Sequence, residues 1–250
     1  MKFTHTEVMN FEGAIRGMRN PLESWDKSDS IFVHFSSVKY STKLREVAYE
    51  WTRRDLPESD INDFEFEDAF EKYCTWLYHA KGNLLGPNDF DLATRLIKSG
   101  SEHRKFLRQI FVSVDITAPL YFFKEFDTYH IGVTANSTST MHKIHSKPIT
   151  IDCFETDDLQ PFEKEAMETM IDICNTYLSL YQTSKEKQYW KALIRILPES
   201  WLQTRTITMN YENIINIYKQ RKNHKLTEWS ESFCTWAESL PYMSDFLKYI

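Results

Sequence analysis

Read for the spacing of its apolar positions, the chain is dominated by helical periods. Phe11, Ala14, Ile15 and Met18 recur along one helix face and Pro21 closes the pattern, which predicts a helix over Asn10–Asn20. The same periodicity predicts helices over Ser41–Arg54 and Asp63–Ala80, the second carrying Phe66, Ala69, Phe70, Tyr73, Trp76 and Leu77 as a core-facing stripe. Pro87 and Gly100 bracket another, since proline suits a first helical turn and glycine a left-handed exit. Further helices are expected over Ala118–Ile131, Phe162–Leu180, Lys185–Ile196, Tyr211–Arg221 and Lys225–Leu240. Extended segments are few: Lys2–Val8 as an edge strand, Ile110–Thr117 with its β-branched residues, Pro148–Phe154, and a short piece around Arg205–Met209. The sum is an α+β fold with helix in excess and a small sheet. No linker, repeat or low-complexity stretch interrupts it, which predicts one domain over 1–250.

Composition narrows the function classes. A net charge of −6 and a pI near 5.8 disfavour a protein that holds polymeric nucleic acid by bulk charge. A small anion in a local basic pocket stays open. Cys74, Cys153, Cys174 and Cys234 lie too far apart for a CxxC pair and are too few for a disulfide scaffold. No run approaches the ~20 apolar residues of a membrane helix, and no leader pattern opens the sequence. These features predict a cytoplasmic protein with reduced thiols and no membrane partner.

The segment that departs from these periods is Tyr129–His142, YHIGVTANSTSTMH, dense in small polar side chains between two apolar elements. By composition alone it reads as a solvated loop bonding its own backbone. Its spacing resembles, without gaps, the RHRxxSxNExSxRY signature of the flavin-dependent thymidylate synthases. His130 falls on the motif histidine, Thr134 and Ser139 on its serines, and Asn136 on its asparagine. Tyr129, Ile131 and Met141 stand where the family has arginines, Ser137 replaces the glutamate, and His142 the tyrosine. Two further pieces agree in order. Leu96–Gly100 resembles the helix end before the family's glycine-histidine turn, and the stretch from Leu197-Pro198 to Arg221 resembles its C-terminal region. The resemblance covers roughly residues 90–230.

What the resemblance implies is a flavoprotein. The family reduces FAD with NADPH and carries methylene from methylenetetrahydrofolate to the pyrimidine ring of dUMP, on a homotetramer. Carried over by position, Ser139 takes the catalytic place, and His130, Asn136, Asn210 and Asn216 the cofactor contacts. Arg195, Arg205 and Arg221, with Lys143 nearby, are left to hold the nucleotide. Each has a plainer role open to it: Asn210 is also a helix N-cap, and Arg221 complements a helix dipole. A descendant that keeps the fold to bind a nucleotide or a protein, without catalysis, is the alternative that the missing arginines raise.

Overall fold

A computed structural model describes residues 1–32, 68, 72 and 83–250. The helices expected over Ser41–Arg54 and Asp63–Ala80 lie outside the described residues, apart from Asp68 and Lys72, which are helical and exposed. The chain groups into two compact units, each assembled from three stretches.

The first unit comprises Met1–Thr6, Ser113–Thr208 and Lys225–Ser232. Most of a four-stranded sheet falls here, with strands β1 (Lys2–Met9), β4 (Phe111–Pro119), β5 (Thr134–Ser137) and β6 (Leu202–Asn210) in the order β1-β4-β6-β5. Strand β4 alternates as a half-buried strand must: Val112, Val114, Ile116 and Ala118 are fully buried, while Ser113, Asp115 and Thr117 face the other side. On that polar side Asp115 accepts from Thr206 Oγ1 at 2.5 Å and meets His5 Nδ1 at 3.0 Å, tying β1 and β6 to the strand between them. Thr117 and Thr204 share a hydroxyl bond of 2.7 Å beside it.

Helix α3 (Leu120–Phe126) follows β4, shorter than the expected Ala118–Ile131. Ala118 and Pro119 complete the strand instead, and the chain leaves the helix through turns at Asp127–Thr128. Its Phe122 and Phe126 stack on buried Trp229 of a π-helical turn, Glu228–Phe233, with ring centroids 4.2 and 6.4 Å away. That turn corrects the expected regular helix over Lys225–Leu240. Only Cys234–Glu238 is α-helical (α8), because the wider turn seats the neighbouring side chains of Glu228 and Trp229 inward together. Tyr121 donates to Glu228 and, at 3.3 Å, to Glu155. Burial, then the Glu228 carboxylate, pushes its phenol well above the usual range, so it remains a donor at neutral pH.

The strand expected over Pro148–Phe154 is corrected as well. Ile151–Cys153 is a single helical turn, and Phe154 meets Trp201 through one isolated bridge. Its apolar alternation reflects packing, since Ile149 and Phe154 enter a cluster with Ile144, Cys174, Leu178 and Leu193. This cluster anchors α5 (Pro161–Ser184) and α6 (Lys187–Ile196). Pro161 sits in the first turn of α5, and Gln160 and Glu163 close a reciprocal capping box.

The second unit comprises Glu7–Val112, Met209–His224 and Phe233–Ile250. Helix α1 (Phe11–Arg19) buries all four of its predicted apolar residues. A Cβ on Gly13 would lie 2.2 Å from Asn10 Oδ1, so a larger residue there displaces the Asn10 side chain, whose Nδ2 donates to Gln109 O at 2.9 Å. Short strands β2 (Ile31–Phe32) and β3 (Asn83–Leu84) pair antiparallel before α2 (Pro87–Lys98). Gly100 follows with φ +97°, the left-handed exit expected of it. Arg19 Nε meets the fully buried Asp89 at 2.5 Å, and Asp89 also accepts from Ser28 and Ser30. Arg104 grips Glu212 of α7 (Tyr211–Arg221) through Nη2 at 2.8 Å and Nε at 3.0 Å. Helix α9 (Met243–Leu247) closes the chain, its Phe246 packed edge-on to Phe106 at 6.2 Å. Among the described residues no helix is long and apolar enough to cross a membrane.

Candidate functional site

The polar segment Tyr129–His142 is not simply a loop. Thr134–Ser137 is edge strand β5, antiparallel to β6, with Asn136 opposite Thr206 and Ser137 opposite Arg205. The structure thereby brings together two pieces of sequence some 70 residues apart, both of which carry the family resemblance. Thr138 extends the pairing: its N–H donates to Thr204 O at 2.9 Å, and its Oγ1 accepts from Thr204 N–H at 3.2 Å.

Ser139 then caps the short helix α4 (Thr140–Lys143). Its Oγ accepts the His142 N–H at 3.1 Å and lies 2.6 Å from His142 Nδ1. Trp190 Nε1 on α6 donates to Met141 O at 3.0 Å, fixing α4 from the other side. The result is a pocket of about 590 Å³, within the range of small-ligand sites. Thr138, Ser139, Thr140 and Ser146 give it hydroxyls and Lys143 and Lys147 give it ammonium groups. Ile144, Ile149, Trp201 and Leu202 supply apolar wall, and the half-buried free thiol of Cys153 opens onto it. Such a donor set suits an anion attached to an apolar or planar group.

Of the residues singled out by sequence, Ser139 and Lys143 meet in this pocket. His130 is exposed in the turn after α3, and Asn136 is exposed on β5. Arg205 is already engaged: its Nη1 pairs with Asp127 at 2.6 Å, its Nε donates to Gln203 at 2.9 Å, and its guanidinium lies 4.1 Å over the Phe123 ring. Arg195 is exposed in the last turn of α6 and is not part of the pocket wall. Asn210, Asn216 and Arg221 belong to the second unit. There Asn210 caps α7, accepting from Asn213 N–H at 3.0 Å while Asn213 Oδ1 accepts the Asn210 N–H. Asn216 is exposed on that helix, and Arg221 is half-buried in its last turn. Two of the arginine positions hold exposed apolar side chains, Ile131 at 80% and Met141 at 52%.

Sequence reasoning missed Trp201, Thr138, Thr140 and Cys153. Thr138 and Thr140 flank Ser139 in the polar segment, whereas Trp201 and Cys153 join the pocket only through the β5–β6 pairing and the turn at Ile151–Cys153 and carry no local signature. No group of three or more candidate metal ligands occurs among the described residues.

Comparison with known proteins agrees on architecture. No protein-family model matches the sequence, and no curated protein does. Solved structures do. A crystal structure of flavin-dependent thymidylate synthase ThyX from Helicobacter pylori, complexed with FAD and dUMP, superposes over 99% of this chain and 97% of its own. The TM-score is 0.58 and the identity 12%. A second crystal structure of Thymidylate Synthase X from Helicobacter pylori, with FAD and dUMP, gives 0.53 and 10% over the same shares. The chain thus has, end to end, a fold similar to that of flavin-dependent thymidylate synthase, helix-rich α+β with a small sheet, as its sequence led one to expect.

Proposed function

We propose that this chain is a divergent flavin-dependent thymidylate synthase-like protein that binds dUMP or a related pyrimidine nucleotide and methylates it. Methylenetetrahydrofolate serves as carbon donor and NADPH as reductant. The observation that carries the reading is the position of Ser139: the motif serine of the resemblance lines a pocket furnished with cations and hydroxyls. The fold similarity to proteins crystallised with FAD and dUMP supports it. FAD, when bound, supplies the electron chemistry, and the chain supplies orientation and charge. His130 and Asn136 are exposed and open to a flavin, whereas the Asn210 Oδ1 is taken up by its helix cap. Asn210 and Asn216 remain in the proposal as cofactor contacts, and Arg195 and Arg221 as nucleotide contacts.

We extend the same proposal to a single functional domain over 1–250 and a homotetramer in the cytoplasm. Phe162 at 81% exposure, with Ile173 and Leu180 along α5, offers apolar surface to subunit contacts. The free thiols of Cys153, Cys174 and Cys234 accord with a reducing compartment. The test is direct: purified chain with dUMP, methylenetetrahydrofolate, NADPH and FAD is expected to form dTMP. Ser139→Asn, which keeps the helix cap but not the hydroxyl, is expected to slow turnover at least ~10-fold with an unchanged melting temperature. A chain that binds flavin and dUMP yet yields no dTMP would establish the second reading, a nucleotide-binding descendant without methylene transfer. That reading is favoured by the exposed Ile131 and Met141 at arginine positions.

A further inference from the structure

Among the basic side chains near the motif, the structure separates those that already have partners or lie off the pocket from those that line it without an ion pair. Arg205 is held by Asp127, Gln203 and Phe123. The His142 ring nitrogen Nδ1 is bonded to Ser139, and His145, whose ring packs against Tyr181 at 5.1 Å with Nδ1 buried and unpartnered, does not line the pocket. Lys143 and Lys147 remain: both are exposed, both line the pocket, and neither has an ion-pair partner among the described residues. They stand four positions apart, on the last turn of α4 and just beyond it, beside the hydroxyls of Thr140 and Ser146.

We infer that Lys143 and Lys147 form a phosphate grip, built from lysines rather than arginines, which makes this pocket a site for a phosphate monoester. The inference deepens the proposed function and rests on it for the nucleotide, though the grip itself needs only the phosphate. Its chemistry differs from that of an arginine clamp. A guanidinium fork matches two phosphate oxygens in a fixed plane, whereas two ammonium groups are mobile point charges. The grip therefore selects for the charge of the ligand rather than for its orientation, which falls to the apolar wall that Ile149 and Trp201 give the same pocket. Such a site tolerates variation in the organic part and discriminates sharply against its loss of phosphate. Exposure of both lysines also makes binding sensitive to ionic strength.

The test uses the full chain and two readouts: calorimetric titration, and protection of Cys153 from iodoacetamide followed by peptide mass mapping. The probes are dUMP, deoxyuridine and inorganic phosphate. Glutamine replaces each lysine so that the aliphatic stem is retained, and protection is compared with and without probe within each variant. Wild type is expected to bind dUMP at least ~10-fold more tightly than deoxyuridine. Lys143→Gln and Lys147→Gln are each expected to cost about 10-fold in dUMP affinity, and the double variant about 100-fold, as for charged hydrogen bonds, with deoxyuridine unaffected. If dUMP binds wild type and double variant alike, the grip is overturned and the nucleotide reading survives. If dUMP gains nothing over phosphate, yet phosphate protects Cys153 in wild type and not in the double variant, the nucleotide reading fails and the grip stands. Absence of protection by any probe overturns the grip.

Discussion

Arg205 is the residue on which sequence and structure pull hardest in different directions, because the resemblance offers it to the nucleotide while the fold has already engaged it. Consider Arg205→Ala. The side chain is 15% exposed and Asp127 57%, so the ion pair itself is worth only ~0.2–1 kcal/mol after solvent screening. The guanidinium stacked 4.1 Å over buried Phe123 adds about 0.5–2 kcal/mol. The bond to Gln203 adds about 0.5–1.5 kcal/mol. Allowing for non-additivity, truncation is expected to cost about 2–3 kcal/mol, which for a chain of this size is a fall in melting temperature of about 4–12 °C. Urea unfolding of Arg205→Ala, Asp127→Ala and the double variant isolates the ion pair as a coupling of ~0.2–1 kcal/mol, reduced in 0.5 M salt as surface pairs are, roughly. Arg205→Lys is expected to recover only part of the loss, because an ammonium neither stacks flat nor reaches Asp127 and Gln203 together. The reasoning is refuted if Arg205→Ala unfolds at the wild-type midpoint while dUMP affinity collapses, for then the guanidinium serves the ligand and not the sheet.

Two further outcomes follow from the second unit. Arg104→Met leaves the Glu212 carboxylate, 9% exposed, without its bidentate partner and is expected to cost about 3–5 kcal/mol in urea unfolding, whereas Arg104→Met with Glu212→Leu recovers most of it; a loss below ~1 kcal/mol in the single variant contradicts the buried-pair account. Tyr218 donates to Glu238, and that bond, with burial second, pushes its phenol up to about 12. A raised folded value means the contribution is complete below the unfolded value of ~10 and is lost as pH rises toward about 12. The stability gap between wild type and Tyr218→Phe is therefore expected to narrow over that window in pH-dependent melting, and a constant gap refutes it.

The elements that sequence exposed are those whose ends and faces carry local chemistry. Pro87 and Gly100 bound α2, Asn210 starts α7, and the period of Phe11, Ala14, Ile15 and Met18 is the buried face of α1. Where the reading failed, the deciding interaction was remote. Pro148–Phe154 alternates like a strand, yet the segment has no ladder partner beyond one bridge to Trp201, and its apolar residues fill a helix-lined cluster instead. Strand β5 is the opposite case: all four residues are exposed, so no burial period marks it, and only the backbone ladder to β6 makes it a strand. The π-helical turn at Glu228–Phe233 has the same origin, since what widens it is the packing of Trp229 on Phe122 and Phe126.

The candidate site was legible in its polar spacing and not in its walls. A motif records which side chains sit at fixed intervals along one strand and turn, so Ser139 emerges from the sequence as soon as β5 is aligned, and Lys143 follows only as a cation just beyond the motif. Trp201 and Ile149 reach the same pocket from segments fixed by tertiary packing. The arginine positions sharpen the point. Met141 is half-exposed and its backbone carbonyl, not its side chain, is what Trp190 holds, so the frame of α4 makes no demand for a charged side chain there. Ile131 is also exposed, in a turn where Gly132 takes a positive φ of 72°. Arg205 is different: its partners Asp127 and Phe123 make it part of the sheet's support, a role that needs no ligand. An arginine that already has protein partners is thus weaker evidence for ligand binding than a cation without an ion-pair partner, and by that criterion Lys143 and Lys147 are better placed than Arg205.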